Sequence, residues 1–250
     1  MRDLFVKTEN ASNFMGAVAR LQDRGAEEAC LMIVDGIPGL GKSETLRWYS
    51  AQQGCLYLRA KKEWTPAWML RELLQSLNVS PAHSFEKMYR QALEKLGTEA
   101  QMAEHNDEVY AVVIDEVDHI CRSSRLLETI RDLSDMLEIP FIMVGMGRVR
   151  DNLSRFPQIA SRVGQYVAFN PATLEDVTRM VNELCEVEVK DDLIAQLHKA
   201  SNGLVREIKE GINAIERFGK VNDGPIGVKE MVGEVLLNDR RTGRQITVKG

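Results

Sequence analysis

The chain has 250 residues, of which 44% are hydrophobic and 28% charged, and its net charge is −5. That is ordinary globular composition; it excludes a bulk polycation, so nucleic-acid contact would need local basic patches or many subunits acting together. The four cysteines form no C-x-x-C pair, which argues against a zinc site or a disulfide framework, and no apolar run suits a signal or a membrane span, so a cytoplasmic protein with no membrane partner is expected.

Short apolar runs and amphipathic stretches alternate through the first two-thirds of the chain. The runs predict strands at Cys30–Asp35, Cys55–Arg59, Val109–Ile114, Ile139–Gly145 and Tyr166–Phe169, as for strands covered on both faces of a parallel sheet. The amphipathic stretches predict helices at Ser43–Gln53, Pro66–Leu77, Ser84–Leu96, Arg125–Leu137 and Arg148–Arg155. Thr65 before Pro66 suits a helix start, and Gly97 after Leu96 suits a helix stop. Five strands separated by helices imply a three-layer α/β fold on a parallel five-stranded sheet. Asn170-Pro171 marks a change of character. Beyond it Thr173–Cys185, Lys190–Ala200, Leu204–Phe218 and Val228–Leu237 all have helical spacing, with a capping pattern at Thr173 and a stop at Asn202-Gly203. The expected organisation is an α/β core over residues 1–170, a small all-helical domain over 171–237 and a frayed polar tail over 238–250. In that tail Arg240, Arg241, Arg244 and Lys249 outnumber Asp239.

Two motifs carry chemistry. Gly36-Ile37-Pro38-Gly39-Leu40-Gly41-Lys42-Ser43 has the G-x-x-x-x-G-K-[ST] spacing of a phosphate-binding loop, and it lies between a predicted strand and a predicted helix. That setting gathers backbone N–H groups and a helix N-terminus around one anion. Gly36, Pro38, Gly39 and Gly41 shape the cradle, with Glu44 just beyond it. Lys42 is expected to reach the β- and γ-phosphates of ATP, and the Ser43 hydroxyl to hold Mg²⁺. The second motif, Val112-Val113-Ile114-Asp115-Glu116, is an apolar strand ending in two carboxylates. Asp115 would hold Mg²⁺ through water, and Glu116 would orient the attacking water.

The phosphate loop, one intervening strand, the acidic strand end and the helical domain that follows resemble the AAA+ ATPases. The resemblance implies a P-loop NTPase core followed by a helical lid. It also implies an arginine given to a neighbouring subunit's nucleotide, for which Ser161-Arg162 fits the family's position; Arg155 and Arg150 are the alternatives. Gly203-Leu204-Val205-Arg206 resembles the family's Gly-x-x-Arg setting, where Arg206 would couple the lid to the γ-phosphate. The chain departs from the family after its fourth strand. Val144-Gly145-Met146-Gly147 offers no side-chain donor where Asn, Thr or Ser is usual, which implies slow hydrolysis.

Within the superfamily the chain is similar to the ATPases that assist DNA transposition, the phage Mu B type. The similarity lies in Phe5-Val6-Lys7-Thr8, Gly36–Ser43, Ile114-Asp115-Glu116-Val117-Asp118 and the Phe141–Gly147 segment. Such proteins bind ATP, self-associate as filaments on double-stranded DNA and deliver that DNA to a transposase, and hydrolysis dismantles the filament. The loop after the second strand then faces DNA, which nominates Lys61 and Lys62, with Arg122 and Arg125 as further phosphate contacts lining the same channel; the other reading of each is a solvated loop charge. Two other readings share the nucleotide motifs. One is a replication or helicase-loader ATPase, and the other a slowly hydrolysing signalling switch.

Overall fold

In the computed structural model, which describes residues 1–26, 28–106, 108–240 and 242–250, the first element is a helix that the strand-and-helix reading above omits. Helix α1 (Glu9–Gln22) follows Thr8, whose Oγ1 accepts the N–H of Ala11 at 3.4 Å. Its buried residues Phe14, Val18 and Leu21 recur at helical spacing. Then come β1 (Leu31–Asp35), α2 (Lys42–Gln52), β2 (Leu56–Arg59), α3 (Pro66–Ser76), α4 (Phe85–His105) and β3 (Val112–Asp115). A single 3-10 turn (Val117–His119) leads to α5 (Ser124–Leu137), β4 (Phe141–Val144), α6 (Val149–Leu153), α7 (Pro157–Ala160) and β5 (Val163–Ala168).

The five strands form one parallel sheet in the order β2-β3-β4-β1-β5. Strands β3 and β4 are buried at every residue, which is why they read as unbroken apolar runs. Alternate residues such as Ile33, Ile114 and Met143 join a core with Leu70 of α3, Met88 of α4 and Leu133 of α5. The predicted stop at Gly97 does not occur. Helix α4 continues to His105 because Leu96 and Ala103 remain in that core, and the packing outweighs the ~1 kcal/mol cost of a mid-helix glycine. Strand β5 begins at Val163, before the expected Tyr166, because Leu31 already pairs with Val163.

Two compact units can be distinguished. One comprises Asn13–Ile37 with Lys42–Ala168 and holds the sheet; the other comprises Met1–Ser12, Pro38–Gly41 and Phe169–Gly250. The second contains α8 (Leu174–Leu184), α9 (Asp191–Ser201), α10 (Val205–Gly219), α11 (Val228–Met231), β6 (Val235–Asn238) and β7 (Gln245–Thr247). Thr173 caps α8 by accepting the N–H of Asp176 at 3.2 Å, and α9 stops at Asn202 and Gly203, both at positive φ. Asn10 exchanges hydrogen bonds with the Asn170 backbone at 2.7 and 3.0 Å, and Val6 joins the helical core.

The end of this unit differs from expectation. The helix expected over Val228–Leu237 ends at Met231, and Gly233 at φ 87 turns the chain into the antiparallel pair β6–β7. The described residues of the tail are therefore ordered rather than frayed. Leu236, Leu237 and Val248 are buried, and Arg240 pairs with Glu207 and Glu210 of α10, both at 2.9 Å. Arg241 lies outside the described residues. Among the described residues no helix is long and apolar enough to cross a membrane.

Candidate nucleotide site

The phosphate loop leaves the end of β1, and Gly36, Gly39 and Gly41 all hold positive φ. This backbone state suits glycine and lets successive N–H groups face one anion. Lys42, the first residue of α2, is only 7% exposed. Its Nζ donates to the carbonyls of Gly36 at 2.5 Å and Ile37 at 2.9 Å. Burial lowers its pKa, against the opposing pull of the Asp35, Asp115 and Asp118 carboxylates. Neutral carbonyls hold an ammonium less strongly than an anion does, so phosphate oxygens would displace them. Ser43 is half-buried, and its hydroxyl makes no hydrogen bond among the described residues. Glu44 follows in the first turn of α2, and Pro38 is exposed.

Asp115 closes β3 and is 5% exposed. Its Oδ2 accepts the Tyr57 hydroxyl at 2.5 Å, and its Oδ1 accepts the Glu116 N–H at 2.8 Å. Glu116 has φ 59 and ψ 37, a left-handed state that costs a residue other than glycine about 1–3 kcal/mol and is typical of functional turns. Its Oε1 accepts Arg59 Nη2 at 2.6 Å, and His119 Nε2 lies 3.6 Å from Oε2. Tyr57 and Arg59 were not expected here. They alternate onto one face of β2, and the register pairs Arg59 with Asp115. One strand thus supplies a partner for each carboxylate. Burial, and then the hydrogen bond to Asp115, raise the Tyr57 pKa, so its hydroxyl stays a donor.

The nominated arginines have contacts of their own. Arg162 donates from Nε to both oxygens of Asp135 on α5, at 3.1 and 3.0 Å. Arg150 lies 4.9 Å from the Tyr166 ring centroid, and Arg155 is exposed with no side-chain partner among the described residues. Arg206 sits in the first turn of α10, where its N–H donates to the Gly39 carbonyl at 3.1 Å. A Cβ on Gly41 would lie 3.4 Å from the Val205 methyls, so the tip of the phosphate loop packs under the start of α10. The Arg206 side chain is exposed.

The four basic residues nominated for DNA are all exposed. Lys61 and Lys62 follow β2 and Arg122 follows the adjacent strand β3, with Arg125 in the first turn of α5. Lys61 pairs with Glu72 at 2.5 Å and lies 5.7 Å from the Trp68 ring, whereas Lys62, Arg122 and Arg125 have no ion-pair partner among the described residues. Trp64 is buried and donates Nε1 to Glu72 at 3.2 Å, in keeping with a packing role.

Residues 25–153 match the family model described as AAA domain, just over half of the chain. The chain belongs to the AAA-domain family. No curated protein matches it. Among solved structures, the Orc1 protein of Aeropyrum pernix in complex with DNA is 14% identical with a TM-score of 0.59, over 89% of this chain and 63% of that one. The Orc2 protein of the same organism, solved with ADPNP and ADP, is 15% identical at TM-score 0.58, over 87% and 63%. Cdc6p from Pyrobaculum aerophilum is 15% identical at TM-score 0.56, over 87% and 62%. The chain spans less than two thirds of each of these proteins, and at such identity the likeness is one of fold. The AAA-domain match includes Gly36–Ser43, Asp115 and Glu116 and ends before Arg162 and Arg206.

AAA-domain proteins bind ATP with Mg²⁺, and the residues present fit that ligand. The cradle is lined by glycines at positive φ, and the buried ammonium of Lys42 rests on carbonyls rather than in a tight ion pair. Ser43 and Asp115 supply the hard oxygen donors that Mg²⁺ prefers.

Proposed function

We propose that the chain is a Mg²⁺-dependent ATPase that assembles on duplex DNA, with each nucleotide site completed by an arginine of a neighbouring copy. The observation that carries this reading is the pair of carboxylates ending β3, with Tyr57 bound to Asp115 and Arg59 bound to Glu116. The two groups are held separately, so one can stay a metal partner while the other turns to water. Loop N–H groups and Lys42 bind and orient the triphosphate. Ser43 and Asp115 hold the metal position, and Glu116 accepts a hydrogen bond from the attacking water. Bound Mg²⁺ supplies charge neutralisation on the phosphate oxygens.

In this reading Glu116 must leave Arg59 to act. Arg59→Ala is therefore expected to raise basal turnover modestly, within about fivefold, because the pair is solvent-exposed and weak. A fall in basal phosphate release would show instead that Arg59 aids the reaction. The arginine given in trans comes from the α6–β5 segment, which carries Arg150, Arg155 and Arg162. Arg155 needs to break no contact, and Arg162 would have to leave Asp135. Arg206, at the start of α10, would report the γ-phosphate to the helical unit.

A replication-initiator or loader role has the support of the fold likeness to Orc1 and Cdc6p, Orc1 having been solved with DNA. Delivery of target DNA to a transposase has the support of the residue spellings at Gly36–Ser43, Ile114–Asp118 and Phe141–Gly147. Both roles belong in the cytoplasm with DNA. Electron microscopy with an ATP analogue and duplex DNA separates them. Discrete rings or arcs go with the first, and DNA-coated filaments with the second. Absence of any ATP-dependent assembly sinks both and leaves the signalling switch.

The DNA contacts have their own test. Replacing Lys61 and Lys62 together by Ala should weaken duplex binding and flatten the log–log salt dependence by about 1–2, with ATP binding intact. An unchanged salt slope would remove these residues from the DNA interface.

A further inference from the structure

The segment after β4 lacks a polar side chain where one was expected, yet three of its main-chain N–H groups are held by carboxylates. Asp35, the last residue of β1, accepts the Gly36 N–H on Oδ1 at 2.9 Å, accepts the Gly147 N–H on the same oxygen, and accepts the Val149 N–H on Oδ2 at 3.2 Å. Asp118, in the turn after β3, accepts the Met146 N–H on Oδ2 at 2.8 Å. Gly147 has φ 88, and a Cβ on Gly145 would lie 1.9 Å from Val149 Cγ2 and 2.8 Å from Asp118 Oδ2. The two glycines of Gly-Met-Gly are thus what allows both carboxylates to reach the main chain.

Strand order gives this grip a meaning. Strand β4 lies between β1 and β3. The segment leaving β4 therefore stands between the phosphate loop, which leaves β1, and Asp115–Glu116, which end β3. One carboxylate grips it from each side. We propose that Asp35 and Asp118 are paired positioning residues for ATP hydrolysis, holding Gly145–Val149 through main-chain N–H groups as the spacer that sets the phosphate cradle against Glu116. A side-chain donor after β4 is then unnecessary for placing that wall. A second consequence follows from charge. Asp35 accepts the first N–H of the phosphate loop, and both carboxylates bear on the Lys42 ammonium without pairing with it, so each adds negative charge near the triphosphate position. The residues that favour the chemical step weaken ATP binding.

This role presupposes the ATPase reading, and three variants test it by steady-state hydrolysis. Asp35→Asn keeps one carbonyl oxygen but loses the charge and the second acceptor. Its kcat should fall about tenfold to hundredfold, the scale of an ångström-size misplacement, while KM for ATP falls about threefold or more as one repelling charge disappears. Asp118→Asn should show the same split. Asp35→Glu keeps the charge and shifts the oxygens, so kcat should fall with KM unchanged. A kcat loss in Asp35→Asn accompanied by a higher KM, or no change in either constant, overturns the proposal. Amide exchange read without nucleotide needs neither turnover nor a variant. The N–H groups of Met146, Gly147 and Val149 should exchange slowly in the wild-type chain, and fast exchange there overturns the grip itself. A wild-type chain with no Mg²⁺-dependent hydrolysis would overturn the ATPase reading instead, and leave the exchange result to judge the grip.

Discussion

Glu116→Gln is expected to lower ATP hydrolysis by about 10²–10⁴-fold, the range for loss of a positioned general base, while nucleotide binding survives. The amide keeps the shape of the side chain but cannot take a proton from water. It also loses the charge that draws Arg59 to within 2.6 Å, so the variant side chain is free to face the nucleotide. Single-turnover phosphate release measures the first effect, and titration with a fluorescent ATP analogue the second. If hydrolysis sustains disassembly from DNA, the variant should also remain on duplex DNA after wild-type protein has left it. Normal turnover in Glu116→Gln would mean that another group polarises the water.

Lys42→Ala is expected to abolish activity by a different route, through loss of ATP binding. Removing one partner of a desolvated charge pair costs about 2–5 kcal/mol, roughly 30-fold to several thousand-fold in affinity. The Asp35, Asp115 and Asp118 carboxylates also favour the charged form of Lys42, and its loss leaves their negative charge uncompensated against the incoming triphosphate. Calorimetric titration with Mg²⁺-ATP reads the effect directly. Comparable affinity in the variant would place the phosphates away from Lys42. The two substitutions therefore fail in distinguishable ways, one after binding and one before it.

What was legible in the sequence was local. The phosphate loop and the acidic strand end are contiguous motifs, and each falls between the elements expected to flank it, β1 and α2 for one and β3 for the other. The buried strands were visible because burial on both faces leaves an unbroken apolar run. Helix α1 carries a readable signal in Phe14, Val18 and Leu21 after the Thr8 cap, but it stands ahead of the first strand, outside the alternation of strands and helices. Gly97 misled because glycine propensity is weaker than the packing of Leu96 and Ala103. At the end of the chain, Val235-Leu236-Leu237 suits a helix face and a strand alike, and only the pairing with β7 decides between them.

The partners within the site were not legible for a different reason. Tyr57 and Arg59 meet Asp115 and Glu116 through the register of β2 on β3, and Asp35 meets Gly147 through strand order. Neither property is written in any local pattern. The bond from Arg162 to Asp135 spans 27 positions in sequence and joins a loop to a helix face. Spacing alone nominated the arginine but could not supply its carboxylate.

In the proposed function ATP is hydrolysed at a site built from Lys42, Asp115 and Glu116 and completed by a neighbouring copy on DNA. Mg²⁺-dependent phosphate release, measured across protein concentration with and without duplex DNA, tests it most directly. A shared site predicts turnover per subunit that rises with protein concentration and rises further when DNA gathers the subunits. Turnover per subunit that is constant with concentration and indifferent to DNA, or absent altogether, would contradict it.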